Sequence, residues 1–276
     1  MIEPQHKITS SHKASRRLTD IPTVAVDGGG GLQWRFYDGN LDALISHILQ
    51  GRMSGVAATV AVCNVHMFMD ARRDRGLAQA IGSTSFAICD GQPIAWLVSI
   101  LKGRKVPRIT GPDLFERILL DHLETMKVAL VGGTEQLLEK ICSRLDPVHR
   151  RNLLTIDPGQ VPAHATPTVE IISALNRFGP DIVFVGLGCP KQEKWMSEAG
   201  RHVSSTFIGV GAAFQYFAGD IKRAPDFARR SGLEWAYRLI QQPHLLARYG
   251  RTNIPFLFVL LAAEWARLIR RGNTRG

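Results

Sequence analysis

Cysteine is scarce: four residues in 276 (Cys63, Cys89, Cys142, Cys189), with no CxxC pair and no Cys/His cluster at zinc-ligand spacing. This excludes a zinc finger or ribbon and any disulfide framework, and fits buried thiols in a reducing compartment. A GxxxxGK[ST] phosphate loop, an HExxH pair and a GxSxG elbow are also missing, which removes P-loop, zincin and α/β-hydrolase chemistry. There is no D-x-D pair to hold a divalent metal on a diphosphate, so neither a metal nor another cofactor is expected. The N-terminal MIEPQHKITSSHKASRRLTD has charge but no apolar core, and so is not a secretory signal. Long apolar runs are lacking too. The longest, IPFLFVLLAA over Ile254–Ala263, has ten residues, against roughly 20 for a spanning helix.

What is present is an ordinary globular balance, 45% hydrophobic and 21% charged, with a net charge of +10. The charge is concentrated at one end. From Lys222 onwards eleven Lys/Arg face only Asp226, Glu234 and Glu264, so that +8 of the +10 lies in the last fifth of the chain. Such a segment attracts phosphates, nucleic acid or an acidic membrane surface. Trp265, Leu268 and Ile269 extend the apolar run while Arg267, Arg270, Arg271 and Arg275 supply cations, the pattern of a helix lying in a membrane interface. Docking on the chain's own core or on a second subunit fits the same residues. The aromatics Trp235, Tyr237, Tyr249 and Trp265 recur at helical spacing among Leu and Ile, which speaks for packing rather than nucleic-acid stacking.

The middle of the chain alternates short apolar runs with amphipathic stretches, the signature of βα units on a mainly parallel sheet. Strands are expected at 56–62, 85–88, 127–131, 153–156, 181–185 and 206–210. Helices are expected at 65–81, 93–101, 112–125, 136–145, 168–178 and 192–199, with one more strand and a helix within 31–53. The organisation predicted is a polar, mobile extension over 1–22, an α/β core over 23–219 and a helical, basic appendage over 220–276. Helices in the appendage are expected to start near Pro225, Leu233, Pro243 and Pro255.

In an open α/β sheet ligands bind beyond the carboxyl ends of the strands, and the unusual residues fall there: Asn64, Asp90-Gly91, Gly132-Gly133, Gly186-Leu-Gly188 and Gly209-Val-Gly211. The run GLGCPKQEKW, Gly186 to Trp195, combines a tight turn, a proline at a helix start and the polar trio Lys191, Gln192 and Glu193, as a phosphate or base-edge site would. A plain βα turn has the same glycines. Asp90 stands where it could take a proton from a nucleophilic hydroxyl, and where an Asp also caps a helix; position alone permits both. A non-enzymatic nucleotide-binding α/β protein is the rival reading.

These clusters, in order, resemble the WecG/TagA/CpsF glycosyltransferase family (glycosyltransferase family 26). The resemblance runs from about Leu32 to Arg251. It is carried by the Asn64 turn with Asp70-Ala-Arg-Arg-Asp74, Asp90-Gly91, Arg108-Ile-Thr-Gly-Pro-Asp-Leu114 and Gly132-Gly133. The second half adds Gly186 to Trp195, Gly209-Val-Gly211, Ala218-Gly-Asp-Ile-Lys-Arg-Ala-Pro225, Gly232-Leu-Glu-Trp-Ala-Tyr-Arg-Leu239, Gln242-Pro243 and Arg248-Tyr249. The resemblance implies a Rossmann-like core and an inverting, metal-independent transfer from a UDP-sugar (UDP-ManNAc, its uronic acid or UDP-glucose). The implied acceptor is a polyprenyl-diphosphate-linked saccharide at the inner face of the cytoplasmic membrane, in cell-surface or exopolysaccharide synthesis. It implies Asp90 as general base, Arg108 over the active site and Gln192 on the donor, with Arg223, Arg230 and Arg238 meeting the diphosphate. Asn64, Gly132, Gly186, Gly188, Lys191 and Gly211 would line the same substrate cleft. Neither a cofactor nor nucleic acid is among the expected partners, and the apolar C-terminal helix would serve a membrane or a homo-oligomer contact. Three positions depart from the family pattern: Val62 where a Thr is frequent, Cys89 where Pro is common, and Gln215 where an acid is frequent.

Overall fold

The apolar runs pair into one sheet in the computed structural model, which describes residues 21–28, 31–53, 58–162, 166–225, 227–228 and 234–273. Among these residues eight strands lie in the order β1 (Thr23–Asp27), β2 (Gln33–Tyr37), β4 (Phe86–Cys89), β3 (Ala58–Cys63), β8 (Thr206–Gly209), β7 (Ile182–Val185), β5 (Val128–Val131), β6 (Leu153–Ile156). β1 and β2 form an antiparallel pair and every other pairing is parallel. The expected α/β, Rossmann-like, mainly parallel sheet is therefore present, flanked by helices.

A parallel sheet covered on both sides must be apolar on both faces, and the alternation along each strand meets this. Val60, Val62, Val128, Leu130, Ile182 and Phe184 face one core with Phe115, Ile118, Phe214 and Leu44. Their neighbours Ala61 and Cys63 face Trp34, Phe68 and Leu77, while Ala129, Val131, Val183 and Val185 face Trp195, Met196 and Phe207. The register aligns the carboxyl ends: Cys63 with Cys89, Ala61 and Val185 with Gly209, Val131 with Val185. The loops after β3, β4, β5, β7 and β8 consequently open on one rim.

The helices are α1 (Leu41–Met53), α2 (Val65–Ala71), α3 (Arg75–Gly82), α4 (Gln92–Lys102), α5 (Gly111–Asp121), α6 (Glu135–Ser143), α7 (Val169–Phe178), α8 (Lys191–Ala199), α9 (Ala213–Ala218), α10 (Glu234–Gln241) and α11 (Leu246–Asn273). Several bounds differ from the sequence reading. The expected 65–81 helix is two, because Asp74 turns extended and caps α3 through Leu77 N–H. The strand Thr23–Asp27 escaped notice, since it holds only Val24, Ala25 and Val26 as its apolar residues. Nine residues separate the expected start of α11 at Pro255 from its observed start at Leu246; Pro255 lies within the helix.

That longer helix also corrects the statement that no segment can span a bilayer. By length and composition alone, Leu246–Arg270 is long and apolar enough to do so; counting uninterrupted apolar residues missed it. One side of α11 is nevertheless committed to the protein. Phe256 is buried edge-on against Phe68 of α2, with ring centroids 5.6 Å apart, and Val259, Leu260 and Ala263 pack on the same core. Residues 1–20 of the expected N-terminal extension, and most of the helix expected at Pro225, lie outside the described residues; Ile21 is buried in the core.

Candidate active site

Asp90 follows the all-buried strand β4 directly, and Gly91, at φ +103°, turns the chain into α4. Only glycine holds that conformation without strain. Gly91, not Asp90, occupies the N-cap position of α4, and no side chain caps that helix. The Asp90 carboxylate instead accepts the backbone N–H of Gly111, at the start of α5. The fit around Gly111 is tight, since a Cβ there would stand 3.1 Å from Val62 Cγ1. Burial pushes the Asp90 carboxyl up to about 6, Glu234 adds to the rise, and the Gly111 N–H, Arg108 and Arg238 oppose it.

Arg108 donates from Nη1 to Glu234 Oε2 at 2.7 Å, which ties the loop before α5 to the first residue of α10. Arg238, one turn along α10, lies over the Tyr216 ring of α9 at 5.8 Å. The Tyr216 hydroxyl is itself pushed up, first by burial, with Arg238 opposing and Glu234, Tyr249 and Asp90 adding to the shift. Asp90, Arg108, Glu234, Arg238 and Tyr216 thus form one electrostatic cluster at the rim. Two cations beside a carboxylate of raised pKa can meet a departing diphosphate while the carboxylate accepts a proton.

The glycines build the neighbouring wall. Gly132 (φ +120°) lies so close to Gly186 that a Cβ would stand 2.8 Å from the Gly186 carbonyl carbon, and a Cβ on Gly186 would meet Phe214 at 2.8 Å. Backbone opposes backbone at Gly132, so neither side can yield. Gly132→Ala is expected to cost about 2–4 kcal/mol from left-handed strain plus overpacking, read as a lower urea midpoint at unchanged m-value. Gly188 (φ +77°) and Gly211 (φ +53°) are likewise left-handed. Gln192 is 3% exposed, and its side chain accepts from the N–H groups of both Gly188 and Gly211. Lys191 Nζ donates to Val161 O at 2.7 Å. Asn64 caps α2 by accepting from Met67 N–H.

Arg223 adjoins this cluster through Asp113, whose carboxyl, against burial, is held low by Thr110, Arg223 and Arg108 together. It binds Asp113 at 2.7 Å and Glu116 at 3.3 Å, and lines a cavity of about 350 Å³ with Pro112, Leu120, Arg144, Tyr216 and Phe217. Tyr216 is common to the cavity and the Asp90 cluster. Arg230 lies outside the described residues. Among the described residues no three His, Cys, Asp or Glu side chains gather as metal ligands would. Sequence reasoning missed Glu234 and Tyr216 as members of this cluster. The available signal for Glu234 was its charge, one of three acids among eleven cations.

The family model of the glycosyl transferase WecG/TagA/CpsF family matches residues 31–270, nearly the whole chain including α10 and α11. The chain belongs to this family. It is a glycosyl transferase, and the strand-end rim around Asp90 is its candidate active site. Among its relatives, the N-acetylglucosaminyldiphosphoundecaprenol N-acetyl-beta-D-mannosaminyltransferase of Bacillus subtilis (strain 168) is 28% identical over 206 residues, 74% of this chain and 78% of the relative. The enzyme of the same name from Staphylococcus aureus (strain MW2) is 28% identical over 216 residues, 78% of this chain and 83% of the relative.

Proposed function

We propose that this glycosyl transferase moves a hexosyl group from a UDP-sugar, with inversion and without a metal, onto a saccharide carried by polyprenyl diphosphate. The observation that carries the reading is the Asp90 carboxylate at the carboxyl end of β4, with Arg108 and Arg238 near enough to act on its charge. The acceptor hydroxyl oxygen attacks the sugar C1, Asp90 takes the hydroxyl proton, and the C1–oxygen bond breaks with its electron pair leaving on UDP. Arg108 and Arg238 meet that charge, with Arg223 and Arg230 as further cations of the segment. N-Acetylmannosamine is the favoured donor sugar and N-acetylglucosaminyl-diphosphoundecaprenol the favoured acceptor, since the relatives carry those groups in their names; a mannosaminuronic acid or glucose donor is the alternative. The product would feed cell-surface or exopolysaccharide synthesis.

Residues 23–219 form the catalytic core in this reading, and 220–276 an appendage that closes over the site and holds the enzyme peripherally on the inner face of the cytoplasmic membrane. Closing α10 over Asp90 removes water and strengthens each charge contact. The test is UDP release from a panel of UDP-sugars, with lipid-linked mono- and disaccharide acceptors and EDTA throughout. Acceptor-dependent release is expected. Its absence with folded enzyme and every donor, or its dependence on added metal, would overturn the reading.

A further inference from the structure

Glu193 is a carboxylate that the transfer step does not use, yet it is 1% exposed at the start of α8. Its Oε1 accepts from Gln192 Nε2 at 2.7 Å. On the far side of the same amide, Gln192 Oε1 accepts from Gly188 N–H at 3.2 Å and Gly211 N–H at 3.1 Å. Two donors on one side and an acceptor on the other permit one orientation of the amide only. The space is reserved for it, because a Cβ on Gly209 would meet Gln192 Nε2 at 2.9 Å. Gly188 follows β7 and Gly211 follows β8, both in left-handed conformations with no side chain of their own to anchor them.

We propose that Glu193 is a positioning residue for the donor: it locks the Gln192 amide so that Gln192 joins the loop after β7 to the loop after β8. The inference rests on the reading that the donor occupies this rim. It also gives Gln192 a different task from donor contact, since both ends of its amide are engaged within the protein. Burial pushes the Glu193 carboxyl up to about 7, against the hydrogen bonds from Gln192, the backbone and Cys189. A neutral carboxyl accepts from Gln192 Nε2 through its carbonyl oxygen as the carboxylate does, so the contact does not depend on the charge.

Three variants test it. Glu193→Ala leaves the amide free to turn and should raise the donor KM about tenfold, the worth of one hydrogen bond, with kcat within about threefold. Glu193→Gln supplies a carbonyl to the same N–H and should rescue most of the loss. Gln192→Glu alone sets two carboxylates together and should also raise the donor KM, whereas the exchanged pair, Gln192→Glu with Glu193→Gln, restores one donor and one acceptor and should recover it. Amide hydrogen exchange at Gly188 and Gly211, measured without donor, should quicken in Glu193→Ala and return to normal in the exchanged pair. A folded Glu193→Ala enzyme with unchanged donor KM and unchanged exchange overturns the proposal, as does an exchanged pair no better than the worse single variant. If the unaltered enzyme releases no UDP from any donor, the transfer reading fails instead, and the lock stands or falls on the exchange rates alone.

Discussion

Asp90→Asn is expected to lower kcat by at least ~10², the contribution of a positioned general base, while the protein folds as well as before. The two halves of this expectation share one cause. Burial raises the carboxyl from 3.8 to about 6, so the folded state holds the proton more tightly than the unfolded chain does. Stability that is fully present below about pH 4 is then lost as pH rises through 6, in the order of 3 kcal/mol for two pKa units. Asparagine carries no charge to bury, so its denaturant midpoint above pH 6 should equal or exceed that of the unaltered protein. Activity should rise with pH through an apparent pKa near 6 as Asp90 ionises. In Glu234→Gln that limb should move to lower pH, because a negative neighbour is removed and Arg108 is released from its ion pair, both of which favour the carboxylate. Near-normal turnover in Asp90→Asn would take Asp90 out of the role; an unmoved limb in Glu234→Gln would place the titration elsewhere.

All strands but β1, and the glycine turns at their carboxyl ends, were legible because they rest on local signals. Runs such as Val128–Val131 and Ile182–Val185 are apolar on both faces, as a doubly covered parallel strand must be, and Gly132, Gly186 and Gly188 mark the turns at their ends. What eluded the sequence depends on contacts distant along the chain. Nothing near Glu234 announces that it will meet Arg108, 126 residues earlier. The contacts of Gln192 are a comparable case: nothing in the sequence announces that its side-chain carbonyl will accept from the N–H groups of Gly188 and Gly211, on two different loops. α9 was missed because six residues, Ala213–Ala218, are too few to show a helical period. Pro255 was misread as a helix start, because a proline has no N–H to lose there, whereas here it is tolerated in the interior of α11.

Replacing Phe258, Leu261 and Trp265 together by serine should abolish binding to vesicles containing anionic lipid, weakening it by at least ~10²-fold, while leaving the fold intact. The argument is the division of α11 into two apolar sides. Phe256 is 2% exposed and, with Val259, Leu260 and Ala263, is already used by the core. Phe258, Leu261 and Trp265 are 67%, 58% and 68% exposed, with Leu257 and Leu268 beside them. Burying one such side chain in lipid yields about 1.5–3 kcal/mol, so three of them account for the loss even if each is only partly inserted. Arg270 and its neighbours supply the attraction to anionic headgroups, so raised salt should weaken binding by a smaller factor than the triple serine does. Phe256→Ala acts on the other side of the helix and should cost about 3–5 kcal/mol of stability instead. Co-sedimentation with vesicles, read beside thermal unfolding, separates the two sides. Triple-serine protein that still sediments with vesicles would remove this face from membrane contact, and a change in oligomeric state without any in sedimentation would assign it to a second copy of the chain.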